Sequence, residues 1–258
     1  MQPAIFFGHG SPMNAVEENP YTAAWAKLGR ELAKPRAILA ISAHWYVRGT
    51  RVTASERPAT IHDFGGFPQA LYDIEYRAPG DPQLARRVQQ LLAPTPVALA
   101  DDWGLDHGVW SVLVHAFPDA DVPVVQLSLD QAQPPAFFVT LGEKLRPLRD
   151  ENVLLMASGN VVHNLRAFVT SMRGSAGADD GWGERFETYV RERAAAHDVE
   201  ALVHFEREGA DAALAVPTIE HYLPLLPVIG ANRDGETVTF PTEGVPAPGI
   251  SMLSVRVG

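Results

Sequence analysis

Nine of the 258 residues are histidine and none is cysteine. Disulfides, thiolate zinc sites, iron–sulfur clusters and cysteine nucleophiles are therefore ruled out, and a metal would have to sit on His, Asp, Glu or backbone oxygen. The histidines stand at 9, 44, 62, 107, 115, 163, 197, 204 and 221, and their surroundings sort them. His9 follows a short apolar run inside Phe7-Gly8-His9-Gly10-Ser11-Pro12. His44 follows another inside Ile41-Ser42-Ala43-His44-Trp45, and His163 comes after a third by way of Ser158-Gly159-Asn160. A lone loop histidine is usually a surface or hydrogen-bonded core residue. Three at the ends of three strands are a different matter, because open α/β sheets bind ligands outside the carboxyl ends of their strands. Gly8 and Gly10 allow close backbone approach beside His9, as an ion would require. The chemistry this pattern supports is the holding of one divalent metal ion.

The remaining histidines divide. His221, in Glu220-His221-Tyr222, falls early in an expected helix and depends on the fold to bring it to the others. His107, in Asp106-His107-Gly108-Val109-Trp110, fits both an oriented imidazole at a helix start and a plain structural residue. His62 lies in the aromatic, glycine-rich stretch Ile61-His62-Asp63-Phe64-Gly65-Gly66-Phe67-Pro68, which suits a pocket-lining loop or a packed turn. His115 reads as an interior position on a helix, whereas His197 and His204 lie in a charged helical region and read as solvated; these three are assigned no chemistry. A glycine-rich dinucleotide loop, a phosphate-loop lysine, a Gly-x-Ser-x-Gly elbow and His-Glu-x-x-His are all absent. Ser11 and Ser158 are near histidines but lack the setting of a nucleophile.

The elements that must position these residues can be read from the apolar runs. Ala4 to Phe7, Ala37 to Ser42, Val122 to Leu129, Val153 to Ala157 and Ile250 to Val257 are short, mostly continuous in apolar character, and bounded by turn residues, as buried strands are. Helices are expected over Tyr21 to Ala33, Pro82 to Leu92, Pro134 to Leu148, Gly183 to Ala196 and Thr218 to Val228, with Pro82 and Pro135 suited to first-turn positions. Such alternation predicts an α/β fold with a mostly parallel central sheet flanked by helices. No repeat or low-complexity tract divides the chain, so residues 1–258 read as one domain. Gly174 to Gly183 is the best candidate for a mobile loop.

A net charge of −10, with 46% hydrophobic and 20% charged residues, describes a packed globule without the clustered Lys and Arg that nucleic acid or a polyanionic substrate would need. The N-terminus lacks a signal-peptide pattern, and no run approaches the ~20 apolar residues of a membrane span. A cytoplasmic location is the default expectation. Oligomeric state is not legible.

Six motifs then combine: Gly8-His9-Gly10-Ser11-Pro12; Ser42-Ala43-His44-Trp45; His62-Asp63-Phe64-Gly65-Gly66-Phe67-Pro68-Gln69-Ala70-Leu71-Tyr72; Leu105-Asp106-His107-Gly108; Gly159-Asn160-Val161-Val162-His163-Asn164; and Glu220-His221-Tyr222-Leu223-Pro224-Leu225. In this order, from residue 5 to about residue 232, the chain resembles the DOPA 4,5-dioxygenase branch of the class III extradiol ring-cleaving dioxygenases, the superfamily of the protocatechuate 4,5-dioxygenase catalytic subunit. The resemblance implies a mononuclear non-haem metal on His9, His44 and His221, with a small catechol and dioxygen as substrates. It implies His163 as the acid/base histidine, and as a fourth ligand in a resting zinc form. His107 would be a second active-site histidine, while His62, Phe67 and Pro68 would belong to the pocket-lining loop. The cofactor implied is Fe(II) for catalysis, with Zn(II) equally suited to bind three or four imidazoles. Residue types alone leave two other readings open, a zinc-dependent hydrolase and a non-catalytic metal-binding protein of the same fold.

Overall fold

Strands without polar alternation require cover on both faces, and the fold supplies it. A computed structural model describes residues 1–172 and 180–258. Its sheet contains β1 (Ala4–Gly8), β2 (Ala37–Val47), β3 (Thr50–Thr53), β4 (Val97–Ala100), β5 (Val124–Asp130), β6 (Val153–Gly159), β7 (Val238–Thr239) and β8 (Val255–Val257). They lie in the order β4-β3-β5-β2-β6-β1-β8-β7. The central β5-β2-β6-β1 pairings are parallel, while β8 joins β1 and β7 joins β8 antiparallel. Every residue of β1, β5 and β6 is buried.

Successive side chains of a strand point to opposite faces, and the core divides accordingly. Phe6, Leu39, Ile41, Leu127 and Leu155 enter one apolar cluster; Ile5, Phe7, Ile38, Ala40 and Met156 enter the other. Full burial of each large aliphatic side chain contributes roughly 1.5–3 kcal/mol, so a one-residue slip in these strands would forfeit both layers at once. The parallel α/β class is therefore borne out, with helices covering both faces.

Helix boundaries follow local chemistry. Pro20–Glu31 begins at Asn19, whose side chain accepts from the N–H groups of Tyr21 and Thr22. Pro82–Leu92 begins at Asp81, which caps Gln83 and Leu84 in the same way. The expected helix from Pro134 is split into Pro135–Leu145 and Pro147–Asp150, with Pro147 opening the second piece. The expected helix from Gly183 begins one residue earlier, as Trp182–Ala195. Two expectations need larger correction. The helix foreseen over Thr218 to Val228 forms only over Leu225–Gly230; a tight turn with N–H bonds from Tyr222 and Leu223 to the Ile219 carbonyl precedes it. Pro224 and Pro227 fit the first turn but not a helix interior. The strand foreseen from Ile250 is regular only over Val255–Val257, because Ser251, Met252 and Ser254 direct their N–H groups to Val162, Gly244 and Thr242. Strand β5 starts after Pro123, two residues later than expected.

Of the loop anticipated at Gly174 to Gly183, residues 174–179 lie outside the described residues. Among the described residues, no helix is long and apolar enough to cross a membrane.

Candidate active site

Strands β2, β6 and β1 are neighbours, so their carboxyl ends open onto one spot. Register places Gly8 opposite Gly159 and Ser42 opposite Ser158, and the next residues along each chain reach the edge together. His9 follows β1 directly. His44 does not follow β2, as expected, but sits within it: pairing with β5 shifts between Ile41 and Tyr46. That irregularity lets the strand continue while aiming the imidazole at the edge. His107 opens the helix His107–Ala116. His163 is held by a bridge to Ile250. His221 arrives on its turn, which the backbone anchors through an Asn160 N–H to His221 carbonyl bond of 2.9 Å. This close crossing needs Gly159, where a Cβ would stand 2.2 Å from the His221 oxygen. Gly10, at φ 64°, turns the chain away after His9.

Five imidazoles thereby meet. Ring centroids of His9 and His44 are 5.1 Å apart, His44 and His107 3.9 Å, and His44 and His221 5.0 Å. His163 stacks on His221 at 3.4 Å with planes 7° apart. Ligand atoms of His9, His44 and His107 lie within 4.8 Å of one another, as do those of His163, Glu220 and His221.

Hydrogen bonds decide which nitrogens face inward. The Ser158 hydroxyl donates to the Gly108 carbonyl, so its oxygen must accept from His9 Nδ1, 2.8 Å away. His44 Nδ1 and His107 Nδ1 lie 3.1 and 2.9 Å from the two oxygens of Asp63. His221 Nδ1 lies 3.2 Å from Glu220 Oε1. With Nδ1 as the donor in each case, all four rings turn a Nε2 lone pair toward the centre. His9 Nε2 and His44 Nε2 stand 3.3 Å apart, and His221 Nε2 is buried with no hydrogen-bond partner among the described residues. Two facing lone pairs, with an orphaned third on a ring whose centroid is 5.0 Å from that of His44, form an arrangement that a cation resolves. The residues thus fit a metal ion.

Electrostatics point the same way. Burial, reinforced by the neighbouring imidazoles, holds His9 and His221 well below the ordinary histidine value, and lowers His107. Burial pushes His163 down to about 4. For His44 burial opposes the charge, yet the Asp63 hydrogen bond and the nearby Asp106 raise the balance. Asp63 is pulled far below the carboxylate range by His107 and His44 despite its own burial. Most of the cluster is therefore neutral near pH 7, as metal ligands must be.

The Asp106 carboxylate is completely buried. It accepts from the Ser42 hydroxyl at 2.7 Å and from the Gln126 amide. Ser42 Oγ in turn accepts the His44 N–H at 3.2 Å, so Asp106 props the bend that carries His44. A cavity of about 560 Å³ opens over the histidines, walled by Phe64, Phe67, Leu165, Phe168, Ile250 and Met252.

Of the anticipated loop residues, Phe67 lines this cavity. His62 is turned away from it: its Nε2 donates to the Ile74 carbonyl at 3.0 Å, its ring packs on Phe64 and Trp110, and it lines a separate cavity of about 700 Å³. Pro68 precedes the short helix Gln69–Tyr72 and does not line the histidine cavity. His115 donates from Nε2 to the Asn14 carbonyl at 2.7 Å, a structural tie, and His204 lies between Glu200 and Glu206. His197 is only half-buried, 3.4 Å from the Asn232 amide. Sequence reasoning passed over Asp63, Ser158 and Glu220 as partners of the histidines. The available signal was that a buried imidazole needs an acceptor for its Nδ1–H.

Comparison with known proteins agrees with this geometry. Residues 3–258 match the family described as the catalytic LigB subunit of aromatic ring-opening dioxygenase. A protein of Escherichia coli (strain K12) named 4,5-DOPA dioxygenase extradiol is 51% identical over 99% of this chain and 94% of its own length. A Beta vulgaris protein of the same name is 36% identical, covering 88% of this chain and 85% of its own. The crystal structure of an uncharacterized protein from Escherichia coli K12 superposes with a TM-score of 0.85 at 44% identity, covering 100% of both chains. Together with the imidazole cluster at the sheet edge, these likenesses establish that the chain belongs to the LigB family of extradiol, aromatic ring-opening dioxygenases.

Proposed function

We propose that the chain is a single-domain enzyme that opens the ring of a small catechol of the DOPA or caffeate kind with dioxygen, using one divalent metal held by His9, His44 and His221. The observation that carries this reading is the set of inward Nε2 atoms, with His221 Nε2 buried and unpartnered among the described residues. Fe(II) is the working ion, because dioxygen chemistry needs a redox-active metal and Zn(II) has none to offer; zinc competes for the same imidazoles by intrinsic affinity. When bound, the ion supplies positive charge that favours the catecholate and a redox-active position for dioxygen.

The protein's own groups do the rest. His163 is the acid/base residue. Its ring nitrogens make no hydrogen bond among the described residues, and burial keeps it neutral near pH 7, with a value of about 4. It is therefore free to take a catechol proton once the charge of the site has weakened that bond, and to return it to the opened product. His107, fixed by Asp63 through both its backbone N–H and Nδ1 at 2.9 Å, presents Nε2 to the reacting face. Phe64 and Phe67 supply an apolar wall for the ring, while His62 and Pro68 act from behind by fixing that loop. The relatives named as DOPA dioxygenases support the catechol class.

The test is reconstitution. Chelator-stripped protein loaded anaerobically with Fe(II) should consume oxygen on addition of a catechol and yield a coloured ring-opened semialdehyde, but be silent with the 1,3-diol isomer. Absence of oxygen uptake with every catechol tried would overturn the proposal.

A further inference from the structure

The histidine cavity runs outward from the buried His9 to an exposed rim at Glu17, along the turn that follows β1. Its walls are unevenly charged. Among the described residues, no Lys or Arg lines it; Arg48 and Arg166, close by in sequence to lining residues, are exposed and outside it. Apart from the histidines, its charged groups are Asp63 and Glu17. Asp63 is spent on His44 and His107. Glu17 makes no ion pair among the described residues, so its carboxylate is available.

The polar groups around Glu17 do not offset it. Asn14 and Asn19 are committed: the Asn14 amide donates to the His9 carbonyl at 2.9 Å, the Asn19 amide donates to Asn14 Oδ1 at 2.8 Å, and Asn19 Oδ1 caps the following helix. The Tyr21 hydroxyl lies against Gly244, 3.4 Å from where a Cβ would stand. The Gly244 N–H donates at 2.7 Å to a second carboxylate, the buried Glu187, whose other oxygen accepts from the Ser251 hydroxyl at 2.5 Å. Burial raises both the Tyr21 hydroxyl and the Glu187 carboxyl, so neither brings a positive charge to this wall. The rim thus carries one exposed carboxylate, Glu17, and no cation among the described residues, in a chain of net charge −10.

A catechol whose two oxygens face the histidines turns its ring substituent outward, where Glu17 is the exposed charged group on the cavity lining. We propose that the enzyme selects its substrate by the charge at the end of that substituent, taking ammonium-bearing catechols and disfavouring those that end in a carboxylate alone, with Glu17 as the residue that sets the preference. An anion there would meet no cation and one free carboxylate; an ammonium would gain an acceptor at a wet, screened position. The inference rests on the ring-opening reading and narrows it.

The experiment compares kcat/KM of the Fe(II)-loaded enzyme for three probes at low ionic strength: 4-methylcatechol, 4-(2-aminoethyl)catechol and 3-(3,4-dihydroxyphenyl)propanoate. The amine should exceed the neutral probe and the propanoate fall below it, each by roughly fivefold, the size of an exposed ion-pair effect. Added salt should compress the spread. Glu17→Gln should shrink it and Glu17→Lys should reverse the order; both change an exposed side chain and leave the fold intact. A propanoate that matches or outruns the amine in the unmodified enzyme, or an order untouched by Glu17→Lys, would overturn the inference while leaving ring opening in place. No turnover of 4-methylcatechol would instead remove the ring-opening reading and this inference with it.

Discussion

The imidazoles of His44 and His107, 3.9 Å apart between ring centroids, share one carboxylate, with an oxygen of Asp63 on each Nδ1. One side chain thereby sets the tautomer of a proposed metal ligand and of its neighbour facing the substrate. Replacement by Asn leaves one acceptor oxygen for three N–H donors, the Nδ1–H of His44 and the Nδ1–H and backbone N–H of His107. Asp63→Asn should weaken metal binding by roughly 10–100-fold, the usual cost of losing an outer-shell partner. Competition against a chromophoric chelator measures this, and an unchanged affinity would show that the shared carboxylate is incidental.

His163 is separable from the ligand set by its ring nitrogens, which make no hydrogen bond among the described residues, and by its stacking on His221 at 3.4 Å. His163→Ala should lower kcat by roughly 10²–10⁴-fold, as expected for a lost general acid/base, while iron content per chain stays the same. Loss of iron in proportion to activity would make His163 a fourth ligand instead.

Much of this site was legible in the sequence because His9 and His163 follow continuous apolar runs that can only be buried strands. His107 was legible as far as its helix start. His44 was misplaced by a few residues, since a bend within a strand leaves no mark in an apolar pattern. The helix drawn through His221 ignored what two prolines, Pro224 and Pro227, do to an interior turn. Strands β3 and β4 went unseen: each has four residues, and two of those in β4 are exposed. That buried imidazoles need acceptors was legible, but which acceptors, Asp63 and Ser158, was not. Residue 63 meets residues 44 and 107 only through the fold, and no local spacing encodes that meeting.

The metal-free protein should lose stability on acidification. In the unfolded chain these imidazoles titrate near about 6.5. In the folded chain burial holds His9, His107 and His221 lower and His163 at about 4. Between those values the unfolded chain binds more protons, so stability is full above pH 6.5 and falls as the pH drops, by about 1.4 kcal/mol per pH unit for each fully neutral histidine. His44, raised by the Asp63 hydrogen bond against the opposition of burial, adds stability only as the pH falls toward about 6.5 and nothing further below it, so it does not offset the loss at lower pH. Urea midpoints of chelator-treated protein at pH 7.5 and 5.5 check the sign, and a higher midpoint at pH 5.5 would contradict it.

Away from the site, Arg149 is completely buried and ties the sheet's edge together. Its guanidinium donates to the Gln2 carbonyl at 2.9 Å, to the Ala231 carbonyl at 2.7 Å, and to both oxygens of Glu236 at 2.7 and 2.8 Å. Glu236→Ala strands that charge and should cost about 3–5 kcal/mol by chemical denaturation. Metal binding by the folded fraction should be unaffected, because the pair lies at the amino end of β1, opposite the histidines.

Ring opening of the proposed kind takes both new oxygens of the product from dioxygen. Single turnover of the Fe(II)-loaded enzyme with 4-methylcatechol under ¹⁸O₂, read by mass spectrometry after rapid quenching and reduction of the aldehyde, tests this directly. Two labelled atoms per product are predicted. A product carrying oxygen from solvent water in their place, or unopened catechol after full exposure to oxygen, would contradict it.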